Sequence, residues 1–134
     1  MQQHLMLATD PVVFVIDDDH AVRNSLKFSL EIEGFSVRAY PEPSKLLAEA
    51  DLPGLGCLVI DYNLPEMNGL ALLNRLRERG VAMPALLITT HPSLTLRERA
   101  AAAGMRIIEK PLFNDTLLDG VREALARQPQ LPTA

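Results

Sequence analysis

The residues best suited to chemistry in this sequence are acidic side chains that follow short apolar runs. Asp17 and Asp18 come directly after residues 12–16, and Asp61 comes after residues 57–60. Both runs are unbroken, contain β-branched residues and are bounded by turn residues, which is typical of buried strands. Because the carboxyl ends of parallel strands meet at one edge of a sheet, the three carboxylates are expected to share one pocket.

Two further strand ends bring other chemistry to the same edge. Thr89 follows the apolar run 85–88, and Lys110 lies just after the run 105–108. Three crowded carboxylates repel one another unless a cation compensates their charge. Carboxylates, a backbone carbonyl and water are the ligands of a hard divalent ion such as Mg²⁺. With a lysine and a hydroxyl to contact a phosphate, the set favours phosphoryl transfer onto an aspartate.

The elements that must position these residues alternate along the chain. Five apolar strands and five helical segments predict a parallel sheet with right-handed crossovers and helices on both faces. Residues 35–39 alternate apolar and polar side chains, which indicates a half-buried edge strand. The predicted architecture is a flavodoxin-like three-layer α/β/α fold with strand order 2-1-3-4-5. Helices are expected at 20–33, after a cap at Ser44, at 70–79, up to Ala103, and at 113–126.

Length and composition restrict the classes of protein that fit. The 134 residues predict one domain at 11–127, with a loose leader at 1–10 and a proline-containing tail or truncated linker at 128–134. The net charge of −4 argues against nucleic-acid binding by this chain, since phosphate binding needs a basic face. Cys57 alone excludes an internal disulfide and suits a reducing compartment. With no apolar run of membrane-spanning length, a cytoplasmic location is predicted.

Four short motifs stand at the four strand ends. They are Val-Ile-Asp-Asp ending at Asp18, Asp-x-Asn-x-Pro-x-x-Asn-Gly from Asp61 to Gly69, Ile-Thr ending at Thr89, and Lys-Pro starting at Lys110. Together they resemble the response-regulator receiver domain of two-component signalling, over roughly residues 11–127. The acidic run followed by Val-Arg-x-Ser-Leu, and the Ile-Thr-x-His motif, are most similar to the subgroup whose receivers precede a helix-turn-helix output domain.

The resemblance implies a role for each acidic residue. Asp61 would accept a phosphoryl group from a sensor histidine kinase or a phosphotransfer protein. Mg²⁺, or alternatively Mn²⁺, would be held by Asp18, Asp61 and the backbone carbonyl of Asn63, with Asp17 acting through water. The protein would not be an enzyme in the usual sense, but it would phosphorylate itself from small donors and dephosphorylate itself.

The resemblance also implies how the phosphoryl group is sensed. Lys110 would pair with the phosphoryl oxygens, Thr89 would hydrogen-bond to them and move on activation, and the Lys110–Pro111 peptide would be cis. The position of the family's aromatic switch residue, three before the lysine, is occupied by Ile107. An aliphatic side chain would therefore repack there in place of a swinging ring.

Three residues near the pocket are candidates for setting the lifetime of the phosphoryl group. They are Asn63, Thr90 and His91, of which Thr90 is bulkier than the alanine or glycine usual in the family. The readout is expected on the face made by helix 4, strand 5 and helix 5. That face would support a homodimer or control an output domain, with regulation of transcription as the expected result.

Two other functions are compatible with parts of the sequence. A pseudo-receiver would keep the fold as an interaction module without phosphorylation, and Ile107 and Thr90 favour it slightly. A haloacid-dehalogenase-like phosphohydrolase also begins with an apolar strand and Asp-x-Asp, here Asp17 and Asp19, which would make Asp17 the nucleophile and Asp61 incidental. That enzyme class expects a further acidic pair at the end of a late strand, whereas this chain offers Asp115 and Asp119 inside its last helix.

Overall fold

The structure is a computed structural model that describes residues 11–49, 52, 54–110, 112 and 114–127. Strands and helices alternate throughout these ranges. The strands are β1 (Val12–Ile16), β2 (Ser36–Tyr40), β3 (Gly56–Asp61), β4 (Ala85–Thr89) and β5 (Arg106–Glu109), and the helices are α1 (His20–Ile32), α2 (Pro43–Leu47), α3 (Gly69–Glu78), α4 (Leu94–Ala102) and α5 (Asn114–Ala126). The predicted leader at 1–10 and tail at 128–134 lie outside the described residues.

The five strands form one parallel sheet in the order β2-β1-β3-β4-β5, which confirms the predicted topology. β1 and β3 are direct neighbours, with Ile16 paired to Ile60 at their carboxyl ends. The chain therefore reverses its direction of winding between these two strands, and a crevice forms where they end. Asp17 and Asp61 are the residues that reach this crevice from β1 and β3.

The sheet separates two apolar cores. On one face Phe14 and Leu58 pack with side chains of α2, α3 and α4, and on the other Val15 and Val59 pack with α1 and α5. Every residue of β1, β3 and β4 is buried, whereas β2 and β5 at the edges are buried only in part. Burial on both faces is the reason that the central strands are continuous apolar runs rather than alternating ones.

β2 and β5 each begin one residue later than predicted, because the residue expected to start the strand still hydrogen-bonds to the helix before it. The N–H of Phe35 donates to the Leu30 carbonyl of α1, and the N–H of Met105 donates to the Ala100 carbonyl of α4. Gly34, like its counterpart before Met105, has a positive φ that allows this turn. Each strand therefore starts only after the helix end is satisfied.

The start of α2 differs from the prediction. Ser44 was expected to cap this helix, but α2 begins at Pro43, so that assignment is wrong. Proline suits the first helical position because its φ is already fixed near the helical value. The Ser44 N–H is satisfied by the carboxylate of Glu66, at 3.0 Å. Glu66 lies in the loop after β3 with a φ of 72°, so this contact joins that loop to α2.

Gly69 fixes how closely α3 approaches the end of β3. A Cβ at this position would lie 2.7 Å from the Asp61 carbonyl oxygen and 2.9 Å from side-chain atoms of Ile60 and Leu87. The Gly69 N–H also donates to the Tyr62 carbonyl at 2.9 Å. The absence of a side chain therefore allows the first turn of α3 to hold the backbone around Asp61.

Gly69→Ala is expected to lower the free energy of unfolding by about 1–3 kcal/mol, because the added methyl group overlaps backbone that has little room to move. Urea denaturation measures this change. Gly54→Ala is the matched control, since its Cβ would meet no atom within 4 Å, and it should change stability by no more than about 0.5 kcal/mol. Equal stabilities of the two variants would contradict this account of Gly69.

Candidate functional site

The three predicted carboxylates meet at the ends of β1 and β3. Asp17, Asp18 and Asp61 each offer one carboxylate oxygen, and these oxygens all lie within 4.8 Å of one another. Asp17 and Asp61 are 1% and 4% exposed, whereas Asp18 lies at the surface. Two buried acidic groups and an exposed one thus form the floor and the rim of a single small pocket.

Asp17 is held in place by hydrogen bonds to its side chain and to its backbone carbonyl. Its Oδ1 accepts a hydrogen bond from the N–H of Asp19 at 2.9 Å, and its backbone carbonyl accepts one from the Arg23 guanidinium at 2.8 Å. Its Oδ2 is buried and has no hydrogen-bond partner among the described residues. A buried carboxylate oxygen without a partner is costly, so this atom marks a place where a ligand would be stabilised.

Lys110 brings the cation nearest to the two buried carboxylates. Its Nζ lies 3.5 Å from Asp61 Oδ1 and 4.0 Å from Asp17 Oδ2, and its side chain is 29% exposed. The Lys110 N–H donates to the Thr89 carbonyl at 2.8 Å, which ties the end of β5 to the end of β4. The lysine therefore offsets part of the negative charge while its ammonium still reaches solvent.

Burial dominates the electrostatics of the pair in the protein without a metal. The pKa of Asp61 is raised to about 6, mainly by desolvation and then by repulsion from Asp17, while attraction to Lys110 and hydrogen bonding lower it in part. Desolvation also raises the pKa of Asp17, against hydrogen bonding from Asp19 and attraction to Lys110. One lysine does not compensate two buried carboxylates, so the site favours a further positive charge.

The composition of this site fits a hard divalent cation. Mg²⁺ prefers carboxylate and carbonyl oxygens at near-octahedral geometry and usually keeps several waters. The unpartnered Oδ2 of Asp17 and the clustered oxygens of Asp18 and Asp61 supply such donors. The backbone amide of Asn63 hydrogen-bonds to the Asp61 carboxylate and lowers its pKa, which keeps the loop after β3 close to the cluster. The Asn63 carbonyl as a ligand stays a prediction.

The other predicted site residues differ in how far they are buried. Thr89 is buried at the end of β4, whereas Thr90 and His91 are exposed in the turn that follows, with His91 at a φ of 46°. Ile107 is half-buried and packs against the core on the side of α3 and α4. The predicted cis peptide involves Pro111, which lies outside the described residues.

Asp19 takes no part in the acidic cluster. Its side chain accepts a hydrogen bond from the N–H of Val22 at 3.1 Å and caps α1. The phosphohydrolase interpretation rests on the Asp-x-Asp motif of Asp17 and Asp19, and the acidic cluster contains Asp18 and Asp61 instead of Asp19, which gives that interpretation no support. Arg23, which binds the Asp17 carbonyl, is the arginine of the Val-Arg-x-Ser-Leu motif, but sequence patterns assigned it no role at the site, because a surface arginine on a helix does not show what it contacts.

The metal-free protein is expected to lose stability as the pH rises from about 4 to above 6. Asp61 has a pKa of about 6 when folded, against 3.8 as its ordinary value, so the folded state holds this proton more tightly. The stability that Asp61 contributes is fully present below its pKa in the unfolded state, 3.8, and is lost as the pH rises through its pKa in the folded state, about 6. Asp61→Asn removes the buried charge and should raise the free energy of unfolding at pH 8 by on the order of 2 kcal/mol.

Urea denaturation in a chelator, at pH 5 and at pH 8, measures this effect. Asp119→Asn makes the same chemical change on the exposed surface of α5 and serves as the control. An Asp61→Asn protein that is less stable than the wild type at pH 8 would contradict this balance of charges in the pocket.

Comparison with known protein families gives one consistent assignment. The model of the response regulator receiver domain matches residues 13–122. Response regulator protein TodT of Pseudomonas putida is 32% identical over 120 residues, which cover 89% of this chain and 53% of that protein. The transcriptional regulatory protein FixJ of Azorhizobium caulinodans is 38% identical over 117 residues, 86% of this chain and 55% of that protein. The chain thus spans about half the length of these relatives.

Solved structures agree with the sequence comparison. The response regulator StyR superposes with a TM-score of 0.80 at 34% identity, covering 87% of this chain and 60% of that chain. FixJ-N superposes with a TM-score of 0.80 at 32% identity, covering 91% of this chain and 98% of that chain. A chemotaxis protein of Vibrio cholerae, at 24% identity and a TM-score of 0.79, shares the fold. The chain belongs to the response regulator receiver domain family.

Proposed function

We propose that this protein is a phosphorylation-controlled signalling switch in which Asp61 accepts a phosphoryl group from a sensor histidine kinase or a phosphotransfer protein. The observation that carries this proposal is the contact between Asp61 Oδ1 and the Lys110 ammonium at 3.5 Å, beside a second buried carboxylate. A nucleophilic oxygen, a phosphate-binding cation and a set of metal ligands then share one pocket. The receiver domain is proposed to extend over residues 11–127.

The transfer step forms a bond between a carboxylate oxygen of Asp61 and phosphorus and breaks the bond between phosphorus and the donor's histidine nitrogen. Lys110 would neutralise charge on the phosphoryl oxygens, and Thr89 would donate a hydrogen bond to one of them. Both residues lie at strand ends on the edge where Asp61 lies. The protein's contribution is therefore position and electrostatics rather than further covalent chemistry.

Mg²⁺, for which Mn²⁺ could substitute, is the cofactor that we propose. Asp18, Asp61 and the Asn63 carbonyl would be direct ligands, and Asp17 would act through water. When bound, the ion would stabilise negative charge on the phosphoryl group. The donor atoms support this set because they are all oxygens and because one of them, Asp17 Oδ2, is buried without a hydrogen bond from the described residues.

Switching would pass from Thr89 and Ile107 to the face made by α4, β5 and α5. Ile107 packs against the core, so its repacking would be felt by α4. Leu94 is 72% exposed at the start of α4, and an apolar side chain there supports contact with a partner or with a second copy. Because phosphate binds one arrangement of the loops better, phosphorylation would shift the population of that arrangement.

The output is proposed to be control of transcription through a domain or partner beyond these residues. Several relatives carry the words "transcriptional regulatory protein" in their names, and this chain covers only 55% and 60% of two of them, both named FixJ. Direct binding of nucleic acid by this chain is not proposed, given its net charge of −4. The helices of the described residues are all too short to cross a bilayer. The cytoplasmic location stays a prediction.

Asn63, Thr90 and His91 are proposed to set the phosphoryl lifetime. Thr90 and His91 are exposed in the turn after β4, where a side chain can restrict the approach of water to Asp61. Thr90→Ala, followed by the decay of the phosphoryl group after removal of the donor, tests the first of them. Unchanged rates of phosphorylation and dephosphorylation would remove Thr90 from the set.

Incubation with acetyl phosphate and Mg²⁺, followed by intact-mass spectrometry, tests the function directly. One phosphoryl group is expected on the wild type and on Asp119→Asn, the matched surface control. The label should be absent in Asp61→Asn and in the presence of a chelator, because nucleophile and metal are both required. Labelling without a kinase would also establish self-phosphorylation from a small donor.

Two other outcomes would replace this function with one of the alternatives. A label that maps to Asp17 would revive the phosphohydrolase interpretation. A folded wild-type protein that takes no label would identify a pseudo-receiver, and its binding surfaces would then carry the function.

A further inference from the structure

Glu66 lies in the loop between β3 and α3, in a backbone conformation that is unusual for its residue type. Its φ is 72°, and the N–H of Met67 donates to the Pro65 carbonyl at 2.8 Å, so the chain turns tightly about Glu66. A hydrogen bond between residues two apart, with a positive φ at the residue between them, makes a γ-turn of the rare and strained kind. Glycine adopts this conformation freely, whereas a residue with a Cβ does not. A contact outside the turn must therefore stabilise Glu66 in it.

The compensating contact is a hydrogen bond to α2. The Glu66 carboxylate accepts from the N–H of Ser44 at 3.0 Å. Ser44 is in the first turn of α2, where N–H groups have no carbonyl partner within the helix. Glu42, at the N-cap position of this helix, makes no side-chain hydrogen bond to it. Glu66 therefore caps α2 from a distant part of the chain, in place of the local residue.

α2 is a fixed element against which the loop can be held. Leu46 of this helix is completely buried in the core. At the far end of the helix the Arg79 guanidinium, which directly follows α3, donates to the carbonyls of Leu47 and Glu49, each at 2.7 Å. α2 is thus anchored independently of Glu66. The hydrogen bond to the carboxylate of Glu66 therefore restrains the loop rather than the helix.

The loop that Glu66 restrains also carries Asn63 to the acidic cluster. The backbone N–H of Asn63 hydrogen-bonds to the Asp61 carboxylate. The two ends of the loop are fixed through Tyr62, whose N–H donates to β4 and whose carbonyl accepts from the N–H of Gly69. The side chains between these points are half-buried or exposed, so packing alone holds the middle of the loop weakly. The position of the middle therefore depends on the turn at Glu66.

We propose that Glu66 is a positioning residue for the metal site: by capping α2, it holds the loop in the conformation that presents the Asn63 carbonyl to Mg²⁺. This inference rests on the proposed function, since the Asn63 carbonyl is a ligand only if the ion binds beside Asp18 and Asp61. Glu66 acts through the loop and not by contact with the ion. Without the hydrogen bond the strain of the turn is no longer offset, and the loop shifts to conformations that bind the ion less well.

Three substitutions separate the hydrogen bond from the strain. Glu66→Gln keeps an oxygen that can accept from Ser44, so it should bind Mg²⁺ about as tightly as the wild type. Glu66→Ala loses the bond and keeps the strain, so its dissociation constant for Mg²⁺ should rise about three- to tenfold, as expected for a lost helix cap. Glu66→Gly loses the bond and the strain together, because glycine adopts the turn freely. Its affinity should therefore lie between those of the other two.

Isothermal titration calorimetry with Mg²⁺ at pH 8 measures these affinities. Glu42→Ala is the matched control, because it removes a carboxylate at the same end of α2 that makes no side-chain hydrogen bond to the helix, and it should bind like the wild type. At saturating Mg²⁺, Glu66→Ala should be phosphorylated by acetyl phosphate at the wild-type rate, because the bound ion selects the competent loop. A merely structural defect would lower that rate at every concentration of Mg²⁺.

A measurement without metal tests the cap itself. Amide hydrogen exchange, followed by NMR in a chelator, should be faster at Ser44 and Met67 in Glu66→Ala than in the wild type, because each N–H loses its partner more often. Exchange at both positions should be unchanged in Glu42→Ala. Glu66 is exposed, so its variants should fold, and their circular dichroism spectra check that they do.

Several results would overturn the proposal. Unchanged Mg²⁺ affinity or unchanged amide exchange in Glu66→Ala would do so, and so would a phosphorylation rate that stays low at saturating Mg²⁺. Equal weakening in Glu66→Gln and Glu66→Ala, or in Glu42→Ala, would show that charge and not the hydrogen bond is responsible. A wild type that binds no Mg²⁺ would overturn the proposed function as well, whereas normal binding by the wild type with no change in Glu66→Ala would overturn this inference alone.

Discussion

Two carboxylates buried side by side, where β1 and β3 end, are the constraint on which the rest of the site depends. Asp17 and Asp61 are almost inaccessible to solvent. The Nζ of Lys110 faces both carboxylates, at 4.0 Å from Asp17 Oδ2 and 3.5 Å from Asp61 Oδ1. Burial disfavours their charged forms, so the pKa of each is raised. The folded protein thus stores unfavourable electrostatic energy that a divalent cation would relieve, and this is why a metal, a phosphoryl group and a switch are expected together.

The fold supplies this arrangement through ordinary packing. Strand order 2-1-3-4-5 makes β1 and β3 neighbours, and the close approach at Gly69 holds α3 against the backbone of Asp61. The N–H of Lys110 donates to the Thr89 carbonyl, so the ends of β4 and β5 are joined beside the acidic cluster. Thr89 and Lys110, which are proposed to contact the phosphoryl group, are therefore attached to the same edge of the sheet as the carboxylates. A change in charge at Asp61 can then act on the ends of both β4 and β5.

Sequence patterns predicted the parallel sheet and the meeting of Asp17, Asp18 and Asp61, because strand ends in such a sheet share one edge. Helix ends were harder to place, since a glycine with positive φ lets the last turn of α1 take one more residue before β2 starts. Contacts between distant segments, such as that of Glu66 with Ser44, have no sequence signal because they depend on tertiary placement.

Proton release on Mg²⁺ binding tests the central claim most directly, since binding must displace the proton that burial retains on Asp61. Isothermal titration calorimetry in buffers of different ionisation enthalpy measures the number of protons released per ion. With a pKa of about 6, Asp61 should release about half a proton or more per ion at pH 6 and nearly none at pH 8. Binding without proton release at pH 6 would show that the buried pair is already ionised, and it would contradict the account.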